Sequence, residues 1–138
     1  MITTTNSWRT IVLDKDESNR KFLTTTLRKH NFSVIDTNEC ETAFRHIVTL
    51  KPSMFIYGEN ENGFTCLDIA YFVREIIKAR DCKIVHCLKF DEKVKRKMSE
   101  KMYIDYFVHK ENISEINNII EQHGLEMIRV CQGEILET

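Results

Sequence analysis

The sequence predicts an α/β domain, an open, doubly wound parallel sheet with helices on both faces. Short, near-continuous apolar runs recur along the chain, as expected of strands buried on both faces. Amphipathic stripes at helical spacing lie between those runs. Five runs alternate with five stripes, and 138 residues with 42% hydrophobic content suit a single domain with a sizeable core.

Residues 1–8 read as a polar leader, 9–124 as the domain and 125–138 as a C-terminal extension. Thr10-Ile-Val-Leu13 is the first strand, and Asp16 or Ser18 caps the helix after it. That helix carries Phe22, Leu23, Thr26, Leu27 and His30 on one face, and Asn31 closes it. Phe32-Ser-Val-Ile35 is the second strand. Cys40, Ala43, Phe44, Ile47 and Val48 stripe the second helix, bounded by Pro52.

Met54-Phe-Ile-Tyr57 is the third strand, running into a polar loop from Gly58 to Gly63. Cys66, Ile69, Ala70, Val73, Ile76 and Ile77 form the clearest helical stripe. Lys83 to Leu88 is the fourth strand. Val94, Met98 and Met102 mark a more polar fourth helix, and Tyr103 to Val108 the fifth strand. Ile113, Ile116, Ile119 and Ile120 mark the fifth helix, ended by Gly124. The extension from Leu125 reads as a tail packed on the domain edge; an exposed strand there would support a homodimer.

Lys and Arg total 20 against 21 Asp and Glu, a balance that argues against a general nucleic-acid binder. Five scattered cysteines without a C-x-x-C pair fit reduced thiols in a cytoplasmic protein. No signal peptide and no membrane-spanning run is read, so a membrane partner is not expected.

In an alternating β/α fold the crevice lies beyond the carboxyl ends of the strands. Asp14, Lys15, Asp16 and Glu17 follow the first strand there, and Gly58, Glu59, Asn60 and Glu61 the third. Leu88 ends the fourth strand; His109 and Lys110 follow the fifth. Carboxylates after the first strand would repel phosphate, and no glycine-rich nucleotide motif occurs. Asp14, Asp16, Glu59 and Glu61 could converge on a hard divalent cation. The same residues also serve as solvated loop acids or as charges on a helix macrodipole. His86 and Cys87 are neighbours on one strand, point to opposite faces and read as core.

Ile11-Val-Leu-Asp14-x-Asp-x-x-Asn-Arg20, Lys51-Pro52 before the third strand, Gly63, and Asp105-Tyr-Phe-Val108 occur in order across most of the chain. In that pattern the sequence resembles the receiver domain of bacterial two-component response regulators. The resemblance implies a flavodoxin-like, CheY-like sheet of strand order 2-1-3-4-5. It also implies an aspartate phosphorylated at the end of the third strand. The helpers are an acidic pair holding Mg²⁺, a hydroxyl ending the fourth strand and a lysine ending the fifth, because charge develops in phosphoryl transfer.

Asp14 matches the first acid. At the other positions the chain departs: Lys15 for the second acid, Gly58 for the acceptor, Leu88 for the hydroxyl, and His109 for the lysine, with Lys110 where a proline is common. The resemblance thus implies a degenerate receiver with no catalytic residue, no metal and no cofactor. Mg²⁺ is the one ion its acids would suit. Asp16, Glu59 and Lys110 each lie one residue beyond the expected site and would form a residual acidic or ion-pair site.

Receivers signal through the face of helix four, strand five and helix five. Lys93, Arg96, Lys97 and Lys101 on helix four and Tyr106 on strand five are the corresponding contact residues. The expected function is a phosphorylation-independent protein-interaction module, its partner another signalling protein and not nucleic acid. The alternatives are a receiver still phosphorylated or metal-bound at a shifted acid, and an unrelated flavodoxin-like α/β enzyme.

Overall fold

The computed structural model describes residues 9–58, 65–88, 103–109, 118 and 121–122. The elements run β1 (Arg9–Leu13), α1 (Glu17–Lys29), β2 (Ser33–Thr37), α2 (Cys40–Leu50), β3 (Met54–Tyr57), α3 (Cys66–Tyr71), β4 (Lys83–Leu88) and β5 (Tyr106–His109). A π-helical turn, Phe72–Ile76, continues α3. The strands form one parallel sheet of order β2-β1-β3-β4-β5. The predicted architecture and strand order are therefore present.

Strand alternation divides the core into two layers. Val12, Ile56, Val85, Cys87 and Val108 face Leu23 and Leu27 of α1. Ile11, Leu13, Phe55, Tyr57 and Ile84 face Ala43 and Ile47 of α2 and Ile69 and Val73 of α3 and its π turn. On that second face the His86 ring stacks on Tyr57, centroids 4.9 Å apart, and meets Phe107 edge-on at 6.1 Å. Cys87 lies in the opposite layer, so the neighbouring His and Cys do stand on different faces.

Several boundaries differ from expectation, each for a local reason. Of the two expected caps Asp16 is the one α1 uses, its carboxylate accepting from Asn19 N–H. Asn31 closes the helix in the left-handed region at φ 67°. Asn31 N–H then donates to Arg28 O and Phe32 N–H to Leu27 O, both at 3.1 Å. Those paired bonds hold Phe32 to the helix end, so β2 starts at Ser33, not Phe32, and runs on to Thr37.

The third helical stripe also breaks. Ile77 N–H donates to Phe72 O, a bond spanning five residues. The wider turn rotates later residues around the axis. Ile76 is thereby left 57% exposed, while Ile77 packs on the core. Val48, expected on the buried face of α2, is also 57% exposed. On α1, Asn19 and Thr24 are buried with Leu23 and Leu27, while His30 is the C-cap.

β5 begins at Tyr106, three residues later than expected. Tyr103 is helical and Asp105 sits in a bend. Asp105 accepts from Ile84 N–H at 2.7 Å and its own N–H donates to Ile84 O at 2.9 Å, which sets the point where pairing starts. The stripes of helix four and most of helix five, the leader and the 125–138 extension lie outside the described residues.

Candidate functional site

β1 and β3 are neighbours in the middle of the sheet, with Leu13 opposite Tyr57. Their next residues, Asp14 and Gly58, therefore stand side by side at the mouth. Gly58 N–H donates to Leu13 O at 2.9 Å, and Asp14 N–H donates to Thr37 O at 3.1 Å. Both mouth residues are thus extensions of the sheet ladder, which gives them little freedom.

Asp14 is fully buried. One carboxylate oxygen, Oδ1, accepts from Asp16 N–H at 2.8 Å, and the other, Oδ2, accepts from the Asn19 amide at 2.6 Å. Arg20 holds the same corner from outside. Its Nη1 donates to Asp14 O at 2.7 Å and its Nε to Asp36 Oδ2 at 3.0 Å. The start of α1 thereby clamps the ends of β1 and β2.

This clamp aims the Asp14 carboxylate at Gly58. A Cβ placed on Gly58 would stand 3.1 Å from Asp14 Cγ and closer still to Oδ2, inside contact distance. The glycine is required by the space and not by its backbone angle. The carboxylate fills the volume that a side chain at position 58 would enter.

Of the other expected site residues, Lys15 is exposed. Asp16 spends its carboxylate on the α1 cap, accepting from Asn19 N–H at 3.2 Å. Leu88 and His109 are register partners at the ends of β4 and β5. They lie two residues further along than the His86–Phe107 pair, which aligns with Tyr57. Tyr106 is half-buried against the α1-side layer. Glu59, Glu61, Lys110, Lys93, Arg96, Lys97 and Lys101 lie outside the described residues. Among the described residues no three His, Cys, Asp or Glu side chains come together in a way that could hold a metal ion.

Two groups of polar residues were not legible as a site. Asn19, Arg20 and Asp36 complete the Asp14 clamp; the signal available was Asn19 in the first turn, where it can meet the residues that begin the helix. Arg74 is the other. It donates to Ala79 O at 3.0 Å, Arg80 O at 3.1 Å and Cys82 O at 2.6 Å, and pairs with Asp105. Beside this clamp, burial pushes the Cys82 thiol up to about 12, with the Asp105 charge adding to the shift and Arg74 opposing it. Cys82 is thus a protonated, inert thiol at neutral pH.

No protein-family model matches the sequence, and no curated protein matches it. Solved structures do. The REC domain of AraT, a response regulator from Geobacillus stearothermophilus, aligns with a TM-score of 0.73 at 12% identity, over 90% of this chain and 98% of that one. The chemotaxis response regulator CheY4 of Vibrio cholerae aligns at 0.69 and 15% identity, over 84% and 97%. A LuxR-family DNA-binding response regulator from Staphylococcus aureus aligns at 0.66 and 20% identity, over 86% and 97%. Among the described residues no helix is long and apolar enough to cross a membrane. The chain has the receiver-domain fold of two-component response regulators, with Asp14 and Gly58 in contact at the mouth of its sheet.

Proposed function

We propose that this chain is a degenerate receiver, a cytoplasmic contact module in bacterial signalling that works without phosphoryl transfer. The observation that carries the reading is the Asp14–Gly58 contact. Glycine offers no oxygen to phosphorylate, and the neighbouring carboxylate fills the space an acceptor would use.

The rest of the mouth supports the same reading. Lys15, Leu88 and His109 stand where the resemblance calls for a metal ligand, a hydroxyl and a lysine. Asp16, the nearest shifted acid, is committed to capping α1. No Mg²⁺ or other cofactor is needed for a role based on contact. The partner in this reading is another signalling protein, docked on the face that includes Tyr106 and the Lys93, Arg96, Lys97 and Lys101 cluster.

Affinity capture from the protein's own cells tests this, run with and without Mg²⁺ and acetyl phosphate. The same partner should be retained to the same extent in both. A partner retained only with acetyl phosphate would contradict the reading.

A further inference from the structure

At the mouth Asp14 fills the space beside Gly58, but the seam between α2 and α3 is open. Near its start, Cys40, Glu41, Phe44, Asp68, Ile69, Tyr71 and Phe72 line a cavity of about 500 Å³. At its far end, Val48, Lys51, Ile77, Lys78, Arg80 and Asp81 are among the residues that line another of about 530 Å³.

Apolar groups stand exposed along the seam between them. Phe44 and Phe72 stack across it with ring centroids 4.6 Å apart. One helical step further along their own helices, Val48 and Ile76 are both 57% exposed, and Tyr71 and Phe72 are 45% and 37% exposed. The π turn is what brings Ile76 outward. Large apolar side chains gathered on one exposed strip mark contact surfaces more often than scattered ones do.

Charge is graded along the same strip. Among the described residues, the cavity near the helix starts is lined by the acids Glu41 and Asp68, with Glu41 also paired to Arg45 at 3.0 Å. The far cavity carries Lys51, Lys78 and Arg80 beside Asp81, with Arg80 also paired to Glu75 at 3.4 Å, so its excess of positive charge rests on Lys51 and Lys78. Glu41 and Asp68 also lie in the first turns of their helices, where they meet the helix dipole, and Asp68 forms a capping box with Thr65. The gradient is nonetheless what an incoming helix would meet.

We propose that the α2–α3 seam binds an amphipathic helix of a partner protein, laid antiparallel to both helices. Its apolar anchors, spaced one turn apart, cover Phe44, Phe72, Val48 and Ile76. Its acidic N-terminal turn lies at Lys51, Lys78 and Arg80, and its basic C-terminal turn at Glu41 and Asp68. α2 and α3 both follow strands of a parallel sheet and so run the same way, so an antiparallel partner also opposes its dipole to theirs favourably. This rests on the reading of the chain as a contact module, but adds a second face, separate from the one around Tyr106.

The test uses two synthetic amphipathic peptides with identical Leu and Phe anchors. One has Glu in the first turn and Lys in the last; the other has those charges exchanged. Amide chemical shifts of the full chain are followed during titration. The first peptide should saturate, shift residues of α2 and α3, and bind about tenfold tighter than the second, a difference of about 1.4 kcal/mol. Val48→Ser and Ile76→Ser, both at positions 57% exposed, should each weaken it about tenfold with the unfolding midpoint unchanged.

Equal binding of the two peptides, no saturation by either, or indifference to both substitutions would overturn the proposal. So would self-association of the chain abolished by Ile76→Ser without peptide binding, since the seam would then take a second copy. Shifts confined to the Tyr106 face would overturn this inference and leave the contact-module reading standing. A phosphoryl adduct on the chain would do the reverse.

Discussion

Gly58 is a position where substitution by alanine should have an unusual sign. Its backbone is not in the left-handed region, so Gly→Ala would ordinarily stabilise by about 0.4–1 kcal/mol through the unfolded chain. Here the new methyl group meets the Asp14 carboxylate, which the Asn19 amide and Asp16 N–H hold in place. Gly58→Ala should therefore destabilise by about 1–3 kcal/mol, the usual cost of overpacking. In an Asp14→Ala background the same change should become neutral or stabilising. Urea unfolding of the four chains of this cycle measures the difference. An equal cost in both backgrounds would mean that the two residues do not compete for one space.

At the scale of elements, the π turn and the loop after it depend on Arg74. Three carbonyls between Ala79 and Cys82 converge on one of its nitrogens, and its other end pairs with Asp105 at the start of β5. Asp105 in turn fixes Ile84 N–H in β4. One guanidinium thus joins the end of the π turn to β4 and to the start of β5. Its planar fork suits several acceptors at once, which a lysine ammonium cannot reproduce. Arg74→Met should cost about 2–3 kcal/mol, allowing for the partial exposure of Asp105, because the acceptors lose a charged donor. Arg74→Lys should recover less than half of that. Urea midpoints check both, and an unchanged midpoint for Arg74→Met would remove the clamp's role.

Across the whole molecule, the sequence was most readable where one side chain's surroundings follow from its own periodicity. β1, β3 and β4 were placed to within a residue because their apolar runs are buried on both faces. Boundaries failed where a polar group from elsewhere decides them. Asn31 and the paired carbonyl bonds move the start of β2, and Asp105 moves the start of β5. The exposure of Ile76 was hidden because a π turn leaves the apolar pattern intact while changing which way its last residues point.

The site was legible in part for the same reason. Gly58 is readable as a residue without an oxygen. Its contact with Asp14 is a distance between two strand ends, set by Asn19 and Arg20 on a third element. Sequence spacing suggested Asp16 as a candidate both for a cap and for a site, and the cap is where its carboxylate is bound.

In the proposed function, this receiver fold has its mouth closed to phosphoryl transfer. Incubating the full chain with Mg²⁺ and acetyl phosphate and then measuring its intact mass tests that claim most directly. A closed mouth leaves the mass unchanged under conditions that phosphorylate an active receiver run in parallel. A gain of about 80 Da, one phosphoryl group, on any residue of the chain would contradict it.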